Sequence, residues 1–142
     1  MNINPNEVLK RGIITGIDKT LKEGDKEYQV AQVGIDLRIN EDLTLLPLNG
    51  KNVEIMEKFC MQDTVGYLWI RSSLSRKLVW MSCGVFDPGF IGSGGISLYN
   101  FGQEPISIPK GFRICQIVVY PATFARSYSG FYNQNQTIKS QY

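Results

Sequence analysis

The chain is built from short β-forming runs with turn residues at nearly every junction, and this punctuation constrains its fold more than any other feature. The runs at 43–46, 53–56, 67–70, 77–81, 95–100, 106–108 and 113–120 are brief and rich in Val, Ile and Tyr, residues that suit a pleated, half-buried surface. Asn49-Gly50, Asp87-Pro88-Gly89, Gly92-Ser93-Gly94-Gly95 and Pro109-Lys110-Gly111 separate them. A longer run, 28–40, alternates around Val30, Val33, Ile35, Leu37 and Ile39 and predicts a further strand. Strands this short and this regularly spaced predict an all-β barrel or jelly roll. Helix signals are few. Asn4 can cap, Pro5 suits a first helical position and Glu7 has capping-box spacing, which predicts a short helix over 5–11. One helical turn is expected over 74–77.

At 142 residues the chain forms one domain with a core of its own. A net charge of +2 is too small for a broad nucleic-acid surface, so a small anionic ligand held by local arginines fits better. No apolar run reaches the roughly 18 residues of a membrane span, and the N-terminus lacks a basic-then-apolar signal pattern, so a cytoplasmic location is expected. Cys60, Cys83 and Cys115 are odd in number and widely spaced, which reads as reduced core thiols. Histidine is absent. That excludes Ser-His-Asp and Cys-His catalysis and every His-ligated metal site. Any chemistry falls to Asp, Glu, Lys, Arg, Tyr, Ser or Cys, with or without a hard cation.

Candidate chemistry concentrates between Arg71 and Phe90. Arg71, Ser72, Ser73 and Arg76 set two guanidinium groups and two hydroxyls at a strand end, a pattern suited to phosphate oxygens. Asp87 stands on a Pro-Gly turn with Phe90 three residues later. A turn aspartate commonly bonds nearby amides, whereas beside a phosphate site it can orient and deprotonate a water. Phe90 is either core or a ring under a sugar. Gly84 lets backbone approach a flat ligand. Asp36 and Gln116 are polar residues inside apolar strands, and a buried Asp36 needs a partner such as an arginine. From residue 121 the chain changes character, and 127–142 is rich in Ser, Tyr, Asn, Gln and Gly. A barrel domain over 1–126 and a mobile tail over 127–142 are expected, the tail being either a frayed end or a flap over a ligand.

Taken in order, Gly34-Ile35-Asp36-Leu37-Arg38, Arg71-Ser72-Ser73-Leu74-Ser75-Arg76, Gly84-Val85-Phe86-Asp87-Pro88-Gly89-Phe90, and Tyr99-Asn100-Phe101-Gly102 followed by Pro109-Lys110-Gly111-Phe112-Arg113-Ile114-Cys115-Gln116 resemble four motifs of the trimeric dUTP pyrophosphatase and dCTP deaminase superfamily. The resemblance spans nearly the whole chain. It implies a distorted jelly-roll β-barrel, a homotrimer with sites between subunits, and Mg²⁺ carried mainly by the substrate triphosphate. It gives Asp87 the attacking water, Phe90 the deoxyribose, the backbone of Cys83, Gly84 and Val85 the pyrimidine edge, and Arg71, Ser72, Ser73, Arg76 and Gln116 the phosphates. Asp36 would be supporting. The run Arg126-Ser127-Tyr128-Ser129-Gly130-Phe131 is similar to the pyrophosphatase tail, with Arg126 for the γ-phosphate and Phe131 over the base. The deaminase branch needs a glutamate ten residues beyond the third-motif aspartate, and Ser97 stands there. The resulting expectation is a dUTP diphosphatase. The alternatives are a dCTP deaminase or other pyrimidine deoxynucleotide triphosphate hydrolase, and a non-catalytic nucleotide-binding regulator.

Overall fold

The computed structural model describes residues 1–122 and 128–130. Helix α1 (Pro5–Lys10) opens the chain. Asn4 caps it, its side-chain oxygen accepting from the Asn6 amide at 2.9 Å, and Arg11 closes it. Its buried Val8 docks the helix on the barrel beside Ile13 and Ile14. After it come β1 (Ile14–Thr15), β2 (Ile35–Arg38), β3 (Leu43–Leu45), β4 (Gly50–Cys60), β5 (Thr64–Ile70), a single turn α2 (Ser72–Ser75), β6 (Val79–Ser82), β7 (Ile91–Asn100), β8 (Ile106–Ile108) and β9 (Arg113–Pro121).

These strands form three antiparallel sheets, ordered β1-β4-β7-β6, β2-β9-β5 and β3-β8. This is the expected jelly-roll-like barrel. The long β4–β7 pair is its spine, running from Gly50 opposite Tyr99 to Cys60 opposite Ile91, with an irregularity between Glu54 and Lys58. Inside lie Ile13, Ile35, Leu37, Ile39, Ile55, Leu98, Ile114 and Ile117, all nearly inaccessible. Each such side chain contributes about 1.5–3 kcal/mol by leaving water.

The run 28–40 is not one strand. The Ala31 amide bonds the Gly34 carbonyl at 2.9 Å and Val30 bridges Ile35, so the chain doubles back over 31–34. Val33, expected inside by alternation, is 49% exposed. A tight fit at Gly34 accompanies the fold-back: a Cβ there would lie 2.3 Å from the Ile117 carbonyl oxygen. The short strand β1 and the full length of β4 also exceed what the sequence suggested.

Behind β2 lies a buried pair that the sequence did not reveal. Glu57, with no exposed surface, accepts from the Arg38 amide at 2.7 Å and from Arg38 Nε at 2.8 Å. Gln29 Nε2 donates to the same carboxylate at 3.2 Å, and Arg38 Nη2 donates to the Gly16 carbonyl at 2.6 Å. A buried carboxylate persists only when paired and hydrogen-bonded, and here the pairing ties the long 16–30 connection to the barrel. Cys60, Cys83 and Cys115 are free thiols, as expected. No helix among the described residues is long and apolar enough to cross a membrane.

Candidate active site

The segment after β6 is anchored at alternate points. Phe86 is buried, and its amide and carbonyl exchange hydrogen bonds with Gly66 at 3.0 and 2.9 Å. Its ring meets Phe59 edge-on at 4.6 Å, a contact that Gly94 permits, because a Cβ there would lie 2.8 Å from both rings. Next, Gly89 adopts φ of 83° and donates to the Gln62 carbonyl at 2.8 Å, while the Phe90 amide closes the turn onto the Asp87 carbonyl at 3.1 Å. Asp87 therefore projects from a backbone held on both sides. Its carboxylate is exposed and has no hydrogen bond or ion pair among the described residues.

A cavity of about 370 Å³ opens beside this turn. Cys83, Gly84, Val85, Asp87 and Phe90 all line it. Phe90 is 8% exposed and rests on Phe86, with centroids 5.7 Å apart. A Cβ on Gly84 would meet nothing within 4 Å, so this backbone stands open to a ligand. Burial raises the Cys83 thiol above its ordinary pKa and keeps it protonated and unreactive.

A second group of predicted residues gathers elsewhere on the chain. Asp36 accepts from Arg113 Nη1 at 3.0 Å and from Gln116 Nε2 at 3.1 Å, and Arg71 Nε stands 3.5 Å from it. Arg71 Nη1 also donates to the Arg113 carbonyl at 3.1 Å. Asp36 thus has the arginine partner that its burial demanded. Ser72, Ser73 and Arg76 follow on α2 and its end. The helical turn lies slightly earlier than expected, with Arg71 at its N-cap position and no side-chain cap bond. Ser73 Oγ is buried and has no hydrogen-bond partner among the described residues. None of Arg71, Ser72, Ser73, Arg76 or Gln116 lines the cavity, so one chain does not unite the two groups.

Two cavity residues, Asn52 and Ser82, carried no binding expectation, whereas Tyr128 belongs to the tail expected as a frayed end or a flap over a ligand. Asn52 and Ser82 reach it from β4 and β6. Tyr128 covers Phe90 edge-on at 5.6 Å, and its amide donates to the Pro88 carbonyl at 2.6 Å. Arg113 was visible only as part of a motif. Cross-strand pairing brings these residues in, and local spacing carries no signal for it. The expected roles of Arg126 and Phe131 fall outside the described residues. Among the described residues no three acidic, Cys or His side chains gather as a metal-ligating group.

A family model described as dUTPase matches residues 26–139. A deoxyuridine 5'-triphosphate nucleotidohydrolase of Clostridium novyi (strain NT) is 31% identical over 111 residues, covering 74% of this chain and 78% of that protein. Among solved structures, the EIAV dUTPase aligns with a TM-score of 0.60 at 17% identity, over 87% of this chain and 95% of that one. The dCTP deaminase of Agrobacterium tumefaciens aligns with a TM-score of 0.67 at 15% identity, over 80% of this chain and 46% of that one. At such identities the structural likeness speaks for the fold.

Proposed function

This chain belongs to the dUTPase family, within the superfamily shared with dCTP deaminases, and on that premise we propose that it hydrolyses dUTP to dUMP and pyrophosphate with Mg²⁺. The observation that carries the proposal is Asp87. Among the described residues it is an unpaired carboxylate, on a turn whose backbone is hydrogen-bonded, at the edge of a cavity floored by an aromatic ring and edged by open backbone. In this reading the pyrimidine lies against Cys83, Gly84 and Val85, and the deoxyribose lies on Phe90. Asp87 accepts a proton from water as the water oxygen attacks the α-phosphorus. The bond to the bridging oxygen breaks and pyrophosphate leaves. Most of such catalysis is positioning and charge neutralisation.

Arg71, Ser72, Ser73, Arg76 and Gln116 take the phosphates, and Asp36 orients Arg71 and Gln116 for that task. Mg²⁺ would enter on the triphosphate and neutralise part of its charge. The residues present suit that mode, because Asp36 is committed to its arginines and Gln116 and leaves Asp87 without a carboxylate companion. Arg126, at the end of a barrel over 1–126, and Phe131, in a tail over 127–142, complete the reading only as the resemblance implies.

The separation of the two residue groups on one chain supports a homotrimer whose sites form between subunits. Trp69 and Trp80, on β5 and β6, are 64% and 58% exposed on the single chain, with Leu78 and Phe101 also open. Exposed large apolar side chains of this kind are typical of an association surface. Deamination is the weaker reading, because Ser97 has no acid/base capacity near neutral pH.

Asp87→Asn tests the proposal. Turnover of dUTP should fall by roughly 10³-fold, the scale of a lost general base, while calorimetry finds nucleotide affinity little changed. Full activity in this variant would rule the mechanism out.

A further inference from the structure

The turn that carries Asp87 is fastened from outside the cavity by a strained corner. Past the Cys60–Ile91 pair that ends the β4–β7 ladder, two more bonds continue it. The Met61 amide donates to the Phe90 carbonyl at 2.9 Å, and the Gly89 amide donates to the Gln62 carbonyl at 2.8 Å. Both partners of the last bond are left-handed, Gly89 with φ of 83° and Gln62 with φ of 52°. Glycine takes that conformation freely, whereas a residue with a Cβ is strained in it. Gln62 is exposed, so core packing does not hold it there. Its side chain is tied to the end of α1 instead. Gln62 Nε2 donates to the Arg11 carbonyl at 2.8 Å, and Oε1 accepts from Arg11 Nη2 at 3.3 Å. Arg11 is in turn secured, its amide on the Glu7 carbonyl at 3.0 Å and its Nη2 on Asp63 Oδ1 at 2.6 Å.

We propose that Gln62 is a positioning residue for Asp87, setting the reach of its carboxylate by anchoring the Gly89 amide to the end of α1. The inference rests on the diphosphatase reading and adds to it a residue that does not line the cavity. Asp87 has no side-chain partner among the described residues, so its backbone alone places its carboxylate. That backbone is fixed on one side by Phe86 on Gly66 and on the other by Gly89 on Gln62. The first anchor carries a buried ring, whereas the second is exposed and depends on a side chain. A glycine at 62 would offer the same carbonyl without strain. The glutamine adds what glycine lacks, two bonds that set the direction of that carbonyl relative to α1. Attack by a positioned water tolerates little error, since a displacement of about 1 Å arising far from the chemistry costs on the order of 10²-fold.

Gln62→Gly is the test, because it keeps the carbonyl and the left-handed backbone and removes only the side chain. The full chain, assayed with Mg²⁺ and dUTP, should lose about 10-fold in kcat while KM stays within about twofold of wild type. Amide hydrogen exchange should quicken by about 10-fold at Gly89 and stay unchanged at Phe86, the inner anchor. Gln62→Glu still accepts from Arg11 Nη2 but cannot donate to the Arg11 carbonyl, so it should fall between the two proteins in both readouts. A residue that only shapes the corner would behave differently, because glycine relieves the backbone there. Both kcat and Gly89 exchange would then stay within about twofold of wild type, and that result would overturn the assignment. A loss carried by KM, or exchange that quickens equally at Phe86, would overturn it as well. If wild type releases no pyrophosphate, the diphosphatase reading fails. The exchange rates at Gly89 and Phe86 then decide by themselves whether Gln62 holds the turn.

Discussion

Asp36 and Asp87 are the two carboxylates that the motifs singled out, and the fold treats them in opposite ways. Asp36 is buried in β2 and engaged by Arg113, Gln116 and Arg71. Asp87 stands exposed on a turn whose backbone, not its side chain, is secured. A carboxylate saturated by guanidinium and amide donors cannot take up a water and accept its proton. It can hold the cationic side chains around it in place. A carboxylate without protein partners stays available to a reactant. In the proposed reading Asp87, its backbone held and its side chain unpaired among the described residues, is the reacting group, and the saturated Asp36 is a scaffold.

Paired substitutions can break this comparison. Asp36→Ala leaves buried cationic and amide groups without their acceptor and should destabilise the protein by about 3–5 kcal/mol in urea unfolding. Asp87→Ala should change stability by less than about 0.5 kcal/mol. Equal losses in the two variants would erase the distinction drawn between them. Glu57→Gln sharpens it, because among the described residues this fully buried carboxylate is bonded to Arg38 and Gln29. A loss of about 1.5–3 kcal/mol is expected, the scale of hydrogen bonds to a charged group, and dUTP affinity should be unaffected once the protein is folded.

Trp80→Glu should lower the sedimentation coefficient at micromolar concentration. It should do so without changing the far-ultraviolet circular dichroism of the chain. An unaltered coefficient would remove this face from the association surface.

The smallest effect concerns the thiols. Burial raises the pKa of Cys83, and raises that of Cys115 well above the ordinary value of 9.0. An unfolded thiol then releases its proton at lower pH than the folded one. The stability these groups contribute is whole below about pH 9 and declines as pH climbs through the folded values, by at most about 1.4 kcal/mol per pH unit and group. Cys83→Ser should make the alkaline decline in Tm shallower.

Much of this was legible in the chain. The Asn4 cap, the short strands and the Asp87-Pro88-Gly89 turn follow from local chemistry, since caps and turns involve neighbours a few residues apart. The run 28–40 misled because alternation records which side of a strand is apolar but not whether the strand continues. The bend at 31–34 and the packing of Gly34 against Ile117 are both needed to see the break. Cysteine chemistry was also legible, as three thiols without a partner framework.

Local patterns along the chain were enough for the β-class, the N-terminal helix, the absence of histidine chemistry and the segments that carry Asp36, Arg71, Asp87 and Gln116. Three-dimensional packing was needed to see that Asp36 meets Arg113 across 77 residues of chain, that Glu57 is buried against Arg38, and that Asn52 faces Ser97 across a strand pair. The reason is physical. Turn and cap preferences are energies between near neighbours, whereas register across a sheet is set by the packing of the whole core. A site assembled from register partners becomes visible only when that packing is known.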